Sequence, residues 1–213
     1  MLQATVLLFL SFFGISAPAS ASCPSVQTSV TVDPAFKGMN IDHSKPRSHL
    51  AQTMKQVPFA GFAMQGLTVL DFTTAYRISV TMTEIEEGRW CASLDKVTAE
   101  FGLKEPAKVM IASEIRRGTC EYRTVLDHER THVAIGERSA RAGSAQMKAA
   151  LLGLAARSFP VEAGSKDEAY RIAREKVEAA VNDSARKAIE RADRENAGID
   201  TKDSYDRLAR LCR

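Results

Sequence analysis

Histidine is scarce in this sequence: His43, His49, His128 and His132 are the only four in 213 residues, and none follows His132. Imidazole chemistry therefore has few places to sit. The four cysteines include no C-x-x-C pair, which removes a zinc site built from paired thiolates. Beyond Ala21 no run is long and apolar enough to span a bilayer, so no transmembrane segment is expected in the mature chain. Charge of one sign is lacking too. With 29 basic and 26 acidic residues the formal net charge is +3, which names no nucleic-acid partner. Arg116-Arg117 and Arg186-Lys187 read as solvated faces. Internal repeats and low-complexity tracts are absent.

What is present begins with an apolar leader. Met1 to Ala21 carries Leu7-Leu8-Phe9-Leu10 and Phe12-Phe13, then small residues ending Ala19-Ser20-Ala21. This reads as a secretory signal cut before Ser22, although it lacks a positive n-region. A lipoprotein anchored at Cys23 is a lesser alternative, because Ser20-Ala21-Ser22 lacks the expected leucine. Residues 22–213 then suit one domain with a sizeable core. Export to the periplasm or the medium would oxidise Cys23, Cys91, Cys120 and Cys212 into two disulfides, for which three pairings exist. Cys91 and Cys120 flank a strand-like stretch, so the favoured pairing is Cys91–Cys120, with Cys23–Cys212 tying the termini.

The chain changes character near its middle. Ser29–Val32, Gly66–Leu70, Tyr76–Met82 and Ala107–Ile115 alternate with the period of strands, and Leu94–Phe101 extends another. Arg47–Gln56 could be a short helix or a loop. From Thr119, a plausible N-cap with Glu121 in the first turn, the composition turns helical and free of proline as far as Arg157. Ser158-Phe159-Pro160 breaks that helix, and a second runs from near Asp167 to about Ala197. The expected architecture is α+β: a small antiparallel or mixed sheet followed by two long packed helices.

His128-Glu129-Arg130-Thr131-His132 falls in the first helix. Histidines at i and i+4 lie one turn apart on one face, so both can reach a single Zn²⁺. Glu129 points about a quarter-turn away, where it can take a proton from an activated water without being a ligand. In strand–turn–helix context this pattern encodes attack of water on a peptide-like carbonyl. Gly136, Ser139, Gly143 and Ala150 continue the histidine face as small residues, which invites close approach of the second helix. A catalytic zinc needs a third protein ligand. Antiparallel helices of equal rise would bring up the end of the second helix. Taking Ala173, Val177, Ala180 and Ala188 as its buried face, Glu195 projects from that face and is the first choice, with Asp200 second. Glu137 lies opposite the histidines on a straight helix. His43 and His49 read as loop histidines.

The leader, the β-rich half, the cysteines around the last strand and H-E-R-T-H-V-A-I-G-E opening a long helix resemble a bacterial family of secreted zinc-dependent proteases predicted from sequence. Those domains are placed with the zincin metallopeptidases. The similarity covers roughly Val57 to Asp200, and the motif is its specific part. The resemblance implies a zincin-like fold, His128 and His132 as zinc ligands, Glu129 as general base, and Glu137 as the acidic residue that commonly follows the second histidine. Family members often carry Tyr-Asp and then Thr-x-His-Gly after the second helix. Here Asp193 matches, but Gly198 stands where the histidine would be.

The function expected is a zinc-dependent peptidase acting on a peptide or protein substrate, in the periplasm or outside the cell. Tyr122, Arg123 and Tyr205 are candidates by chemistry to stabilise the oxyanion. The strand Ala107–Ile115 is expected to receive substrate by β-addition. The missing histidine motivates an alternative: a non-catalytic envelope binding domain that keeps the scaffold. A purely structural exported domain is a third reading.

Overall fold

Alternating apolar residues build two small sheets, and the proline-free stretch after Thr119 builds a helix long enough to pack on both. The computed structural model describes residues 22–54 and 64–212. The expected signal segment and the last two residues of the expected short helix, 55 and 56, lie outside the described residues. The chain is α+β.

The first sheet contains β1 (Ser29–Phe36), β4 (Phe72–Glu86), β5 (Arg89–Leu103) and β7 (Val161–Ala163). Central β5 is paired along its whole length by antiparallel β4, along its second half by parallel β1, and at its start by antiparallel β7. β5 shifts phase once. Ser79 pairs with Lys96 but Val80 with Leu94, leaving Asp95 as an extra residue. Leu94 before this bulge and Val97 and Phe101 after it therefore all reach the core, although a regular strand would put Leu94 on the other face.

The second sheet has the order β2 (Met39–Asp42), β6 (Ala107–Ile111), β3 (Gly66–Val69). Parallel β2 and antiparallel β3 flank β6. This overturns the expectation that Ala107–Ile115 is an edge strand able to receive a peptide. Both of its edges are used; among the described residues β3, which packs on the long helix, pairs on one side only.

α2 (Cys120–Ser158) starts where expected, with Thr119 as N-cap accepting from the Tyr122 amide. Its first third packs Val125, Leu126 and Val133 against Val109, Ile111 and Leu50, the last from α1 (Arg47–Thr53). Farther along, Met147 and Leu151 meet Val97 and Phe101, together with Val177 and Val181 of α3 (Lys166–Ile199). The small residues split between two tasks. A Cβ at Gly136 would lie 3.0 Å from Leu70, and one at Gly143 would lie 2.7 Å from the Ala188 methyl. Ala150 is exposed, and Met147 and Leu151 carry the buried stripe onward instead.

A fourth helix, α4 (Lys202–Arg210), follows α3 almost at once and was not foreseen. The disulfides are Cys23–Cys91 and Cys120–Cys212, which corrects the expected Cys91–Cys120 and Cys23–Cys212. Cys91 opens the long strand β5, whereas Cys120 comes after its far end and after β6, as the first residue of α2. That separation keeps the two apart, and each tail of the chain is tied down on its own. No helix among the described residues is long and apolar enough to cross a membrane. With two disulfides, this is compatible with an exported protein.

Candidate metal centre

His128, Glu129 and His132 are all buried on the inner face of α2. Both imidazoles turn the same nitrogen inward. Their Nε2 atoms are 3.3 Å apart, and Asp200 Oδ1 lies 3.1 Å from the first and 3.2 Å from the second. Ligands sharing a tetrahedral ion at zinc–nitrogen distances are separated by about 3.3 Å, so the triangle has the size such an ion requires. His132 Nδ1 donates to Asn196 Oδ1 at 2.9 Å, which fixes the ring with Nε2 turned toward His128 and Asp200. Among the described residues, two groups of His, Cys, Asp or Glu converge closely enough to hold an ion. The other, Cys23, Cys91 and Glu162, contains a disulfide, so its sulfurs offer no thiolate.

The third corner of this triangle is Asp200, the C-cap of α3, and not Glu195. Glu195 lies on the exposed side of α3 and pairs with Arg138 at 3.4 Å. The buried face explains the error. It runs through Val177, Val181, Ala185, Ala188 and Ala192, whereas Ala180 is only partly buried. Substituting Ala180 for Val181 turns the face by about 100°. Four residues past Ala192 comes Asn196, and four more bring Asp200. Glu137 is also outside the centre, paired with Arg141 at 2.6 Å.

Glu129 sits beside the triangle with 3% of its surface exposed. Thr68 of β3 donates its hydroxyl to Glu129 Oε2 at 2.7 Å. Gly66, also on β3, leaves the space that the carboxyl occupies, and any Cβ there would collide with it. Burial pushes the Glu129 pKa up, opposed by the nearby His132, the Thr68 hydrogen bond and His128. Asp200 is displaced the other way. Burial would raise it, but hydrogen bonds from His128 and His132 hold its carboxyl well below the usual range. For His132, burial pulls downward, yet the contact with Asp200 outweighs it and the net direction is up. The two carboxyl groups are therefore displaced in opposite directions, Glu129 by its burial and Asp200 by the donors around it.

Of the three oxyanion candidates only Tyr205 is here. Its hydroxyl donates to Asp200 Oδ1 at 2.9 Å and lies 3.1 Å from His128 Nε2. Burial and the Asp200 charge both push its pKa up, so the phenol keeps its proton. Tyr122 packs edge-on to His43, 5.2 Å between ring centroids, and Arg123 is bound to the Gly118 carbonyl. His43 is held between the Ile115 carbonyl and Arg117, away from the centre. Thr68, Gly66 and Asn196 were missed from sequence. Only Asn196 had a signal, as the next step of the α3 apolar face.

The centre opens into a cleft of about 460 Å³ running along β3, with Leu67, Leu70 and Phe72 on one wall and Ile189 and Asp193 on the other. No family model, curated protein or solved structure matches the chain. The chemistry of the centre therefore rests on its own residues.

Proposed function

We propose that the chain is an exported zinc-dependent peptidase, with His128, His132 and Asp200 holding the ion and Glu129 acting as general base. One observation carries this reading: two Nε2 atoms and one carboxylate oxygen converge within 3.3 Å of one another beside a buried glutamate, at the head of a cleft. A divalent ion held there would supply Lewis acidity for a water and a carbonyl. Glu129 takes the proton of the attacking water and passes it to the leaving amine, with Thr68 fixing the carboxylate oxygen it does not use. Tyr205, a neutral donor in the centre, supports the oxyanion as it develops. The substrate strand adds to the edge of β3, which among the described residues pairs only with β6. The apolar leader at Met1–Ala21 and the oxidised cysteines support export to the periplasm or the medium.

Glu129→Gln keeps the size and polarity of the side chain but removes the base. The variant should retain zinc in a 1:1 ratio while cleavage of a broad peptide library falls roughly 10²–10⁴-fold. Undiminished cleavage would remove Glu129 from the mechanism.

A second reading, a binding domain that holds the ion without turnover, is favoured by the position of Tyr205. Its oxygen reaches the same donors and could complete a closed set of four protein groups, as structural zinc sites have. Wild-type protein that holds stoichiometric zinc yet cleaves no member of the library would establish that reading.

A further inference from the structure

α4 is weakly anchored for a helix that carries a residue of the centre. Its nine residues, Lys202–Arg210, contribute no fully buried side chain, and its clearest ion pair, Lys202 with Asp206, lies within the helix itself. An isolated helix this short does not persist in water. Two contacts tie it to the centre and to α2. At one end Tyr205 meets Asp200 and His128; at the other Cys212 is bonded to Cys120, the first residue of α2. The tie therefore joins the helix bearing Tyr205 to the helix bearing both histidines, eight residues before His128. Asp200 shares this dependence. It lies past the last residue of α3, outside any regular element, and only Thr201 separates it from α4.

We propose that the Cys120–Cys212 disulfide is the positioning device of the metal centre: it holds α4 against α2 so that Tyr205 orients Asp200 toward the two histidines. This rests on the metal-centre reading above. The disulfide touches neither substrate nor ion and works through Tyr205 and Asp200. Cys23–Cys91, which ties the other tail to β5, has no such role.

The test compares the full-length Cys120→Ser/Cys212→Ser double variant with wild type and with Cys23→Ser/Cys91→Ser. Zinc affinity is read by chelator competition and ligand geometry by the visible spectrum of the Co²⁺-loaded protein. Groups that orient metal ligands typically contribute ten- to hundred-fold in affinity. The Cys120/Cys212 variant should lose zinc affinity by that factor and change its Co²⁺ spectrum, while kcat falls with KM nearly constant because the cleft along β3 is intact. The Cys23/Cys91 variant should match wild type in both metal readouts. Tyr205→Phe, with both disulfides present, should shift the Co²⁺ spectrum in the same sense. Unchanged affinity and spectrum in the Cys120/Cys212 variant would overturn the proposal. So would failure of that variant to fold, since a peripheral clamp leaves the sheets and the α2–α3 pair standing. Wild-type protein that takes up neither metal would instead overturn the underlying metal-centre reading.

Discussion

Glu129 occupies a position it could not hold by itself. A carboxylate with 3% exposure needs a partner, and Thr68 supplies it at 2.7 Å from a strand more than sixty residues earlier. Thr68→Val preserves shape and deletes the donor. Hydrogen bonds to charged groups contribute about 1.5–3 kcal/mol, so kcat should fall roughly ten- to hundred-fold with zinc content unchanged. An equal fall in zinc content would mean that Thr68 supports the ligands and not the base. The third ligand yields to a paired comparison. Asp200→Asn should lower zinc affinity at least tenfold in a chelator competition, whereas Glu195→Gln, altering an exposed side chain, should leave it unchanged. His128, Glu129 and His132 were legible because one helical turn fixes their relation. Asp200 was visible only as a second choice, since it sits past the end of α3, where small errors in the assumed face and helix end decide the answer. Thr68 was not legible at all. Nothing in a short alternating strand says which of its hydroxyls will face a glutamate on a distant helix.

Elements were easier to read than the way they pack. Both long helices, the Thr119 cap and the Ser158-Phe159-Pro160 break were evident from composition and punctuation. The order of the strands was not, because short strands carry no signal for their partners. β6 therefore became the supposed edge, although it is the centre of its sheet and the edges among the described residues are β2 and β3. α4 was missed because it is short: its apolar stripe consists of little more than Tyr205 and Leu208, too few positions for a period to stand out in the sequence. Close packing of α2 against α3 and β5 runs through Gly143, and this gives a prediction with a built-in contrast. Alanine is favoured over glycine in a helix by about 1 kcal/mol. At Gly143 the new methyl would come within 2.7 Å of Ala188 and 2.5 Å of the Phe101 ring, an overpacking that costs about 1–3 kcal/mol. Gly143→Ala should therefore lower the urea midpoint despite its better propensity. Gly198 lies in α3 with nothing within 4 Å of a Cβ there, so Gly198→Ala should raise it. A fall in both variants would place the sensitivity in the helices themselves and not in their contact.

Across the whole molecule, the centre is assembled from three distant stretches: Gly66 and Thr68, His128 to His132, and Asn196 to Tyr205. One disulfide ties the first tail to β5 and the other joins α2 to the end of α4. Their pairing could not be read from spacing, because it depends on the course of β5 through the first sheet and on where α4 returns. The two bonds should also differ in what they protect. Cys23–Cys91 spans a sequence separation of 68, for which the loop-closure entropy removed from the unfolded chain corresponds to about 4 kcal/mol. In a chain of this size each kcal/mol is worth roughly 2–4 °C, so Cys23→Ser/Cys91→Ser should lower Tm by about 10 °C. Cys120–Cys212 spans 92 residues and by the same entropy should cost at least as much. If α4 detaches before the rest of the fold, however, that bond restrains a segment already free at the transition, and its measured loss should be smaller than the loop length predicts. Calorimetry of the two double variants in zinc-free buffer distinguishes these cases. A Tm loss near 10 °C for Cys23/Cys91 with a clearly smaller one for Cys120/Cys212 means that α4 is a separable lid of low stability, tied on for the sake of the centre. Equal losses mean that α4 melts with the core, and that its clamp stabilises the fold as a whole.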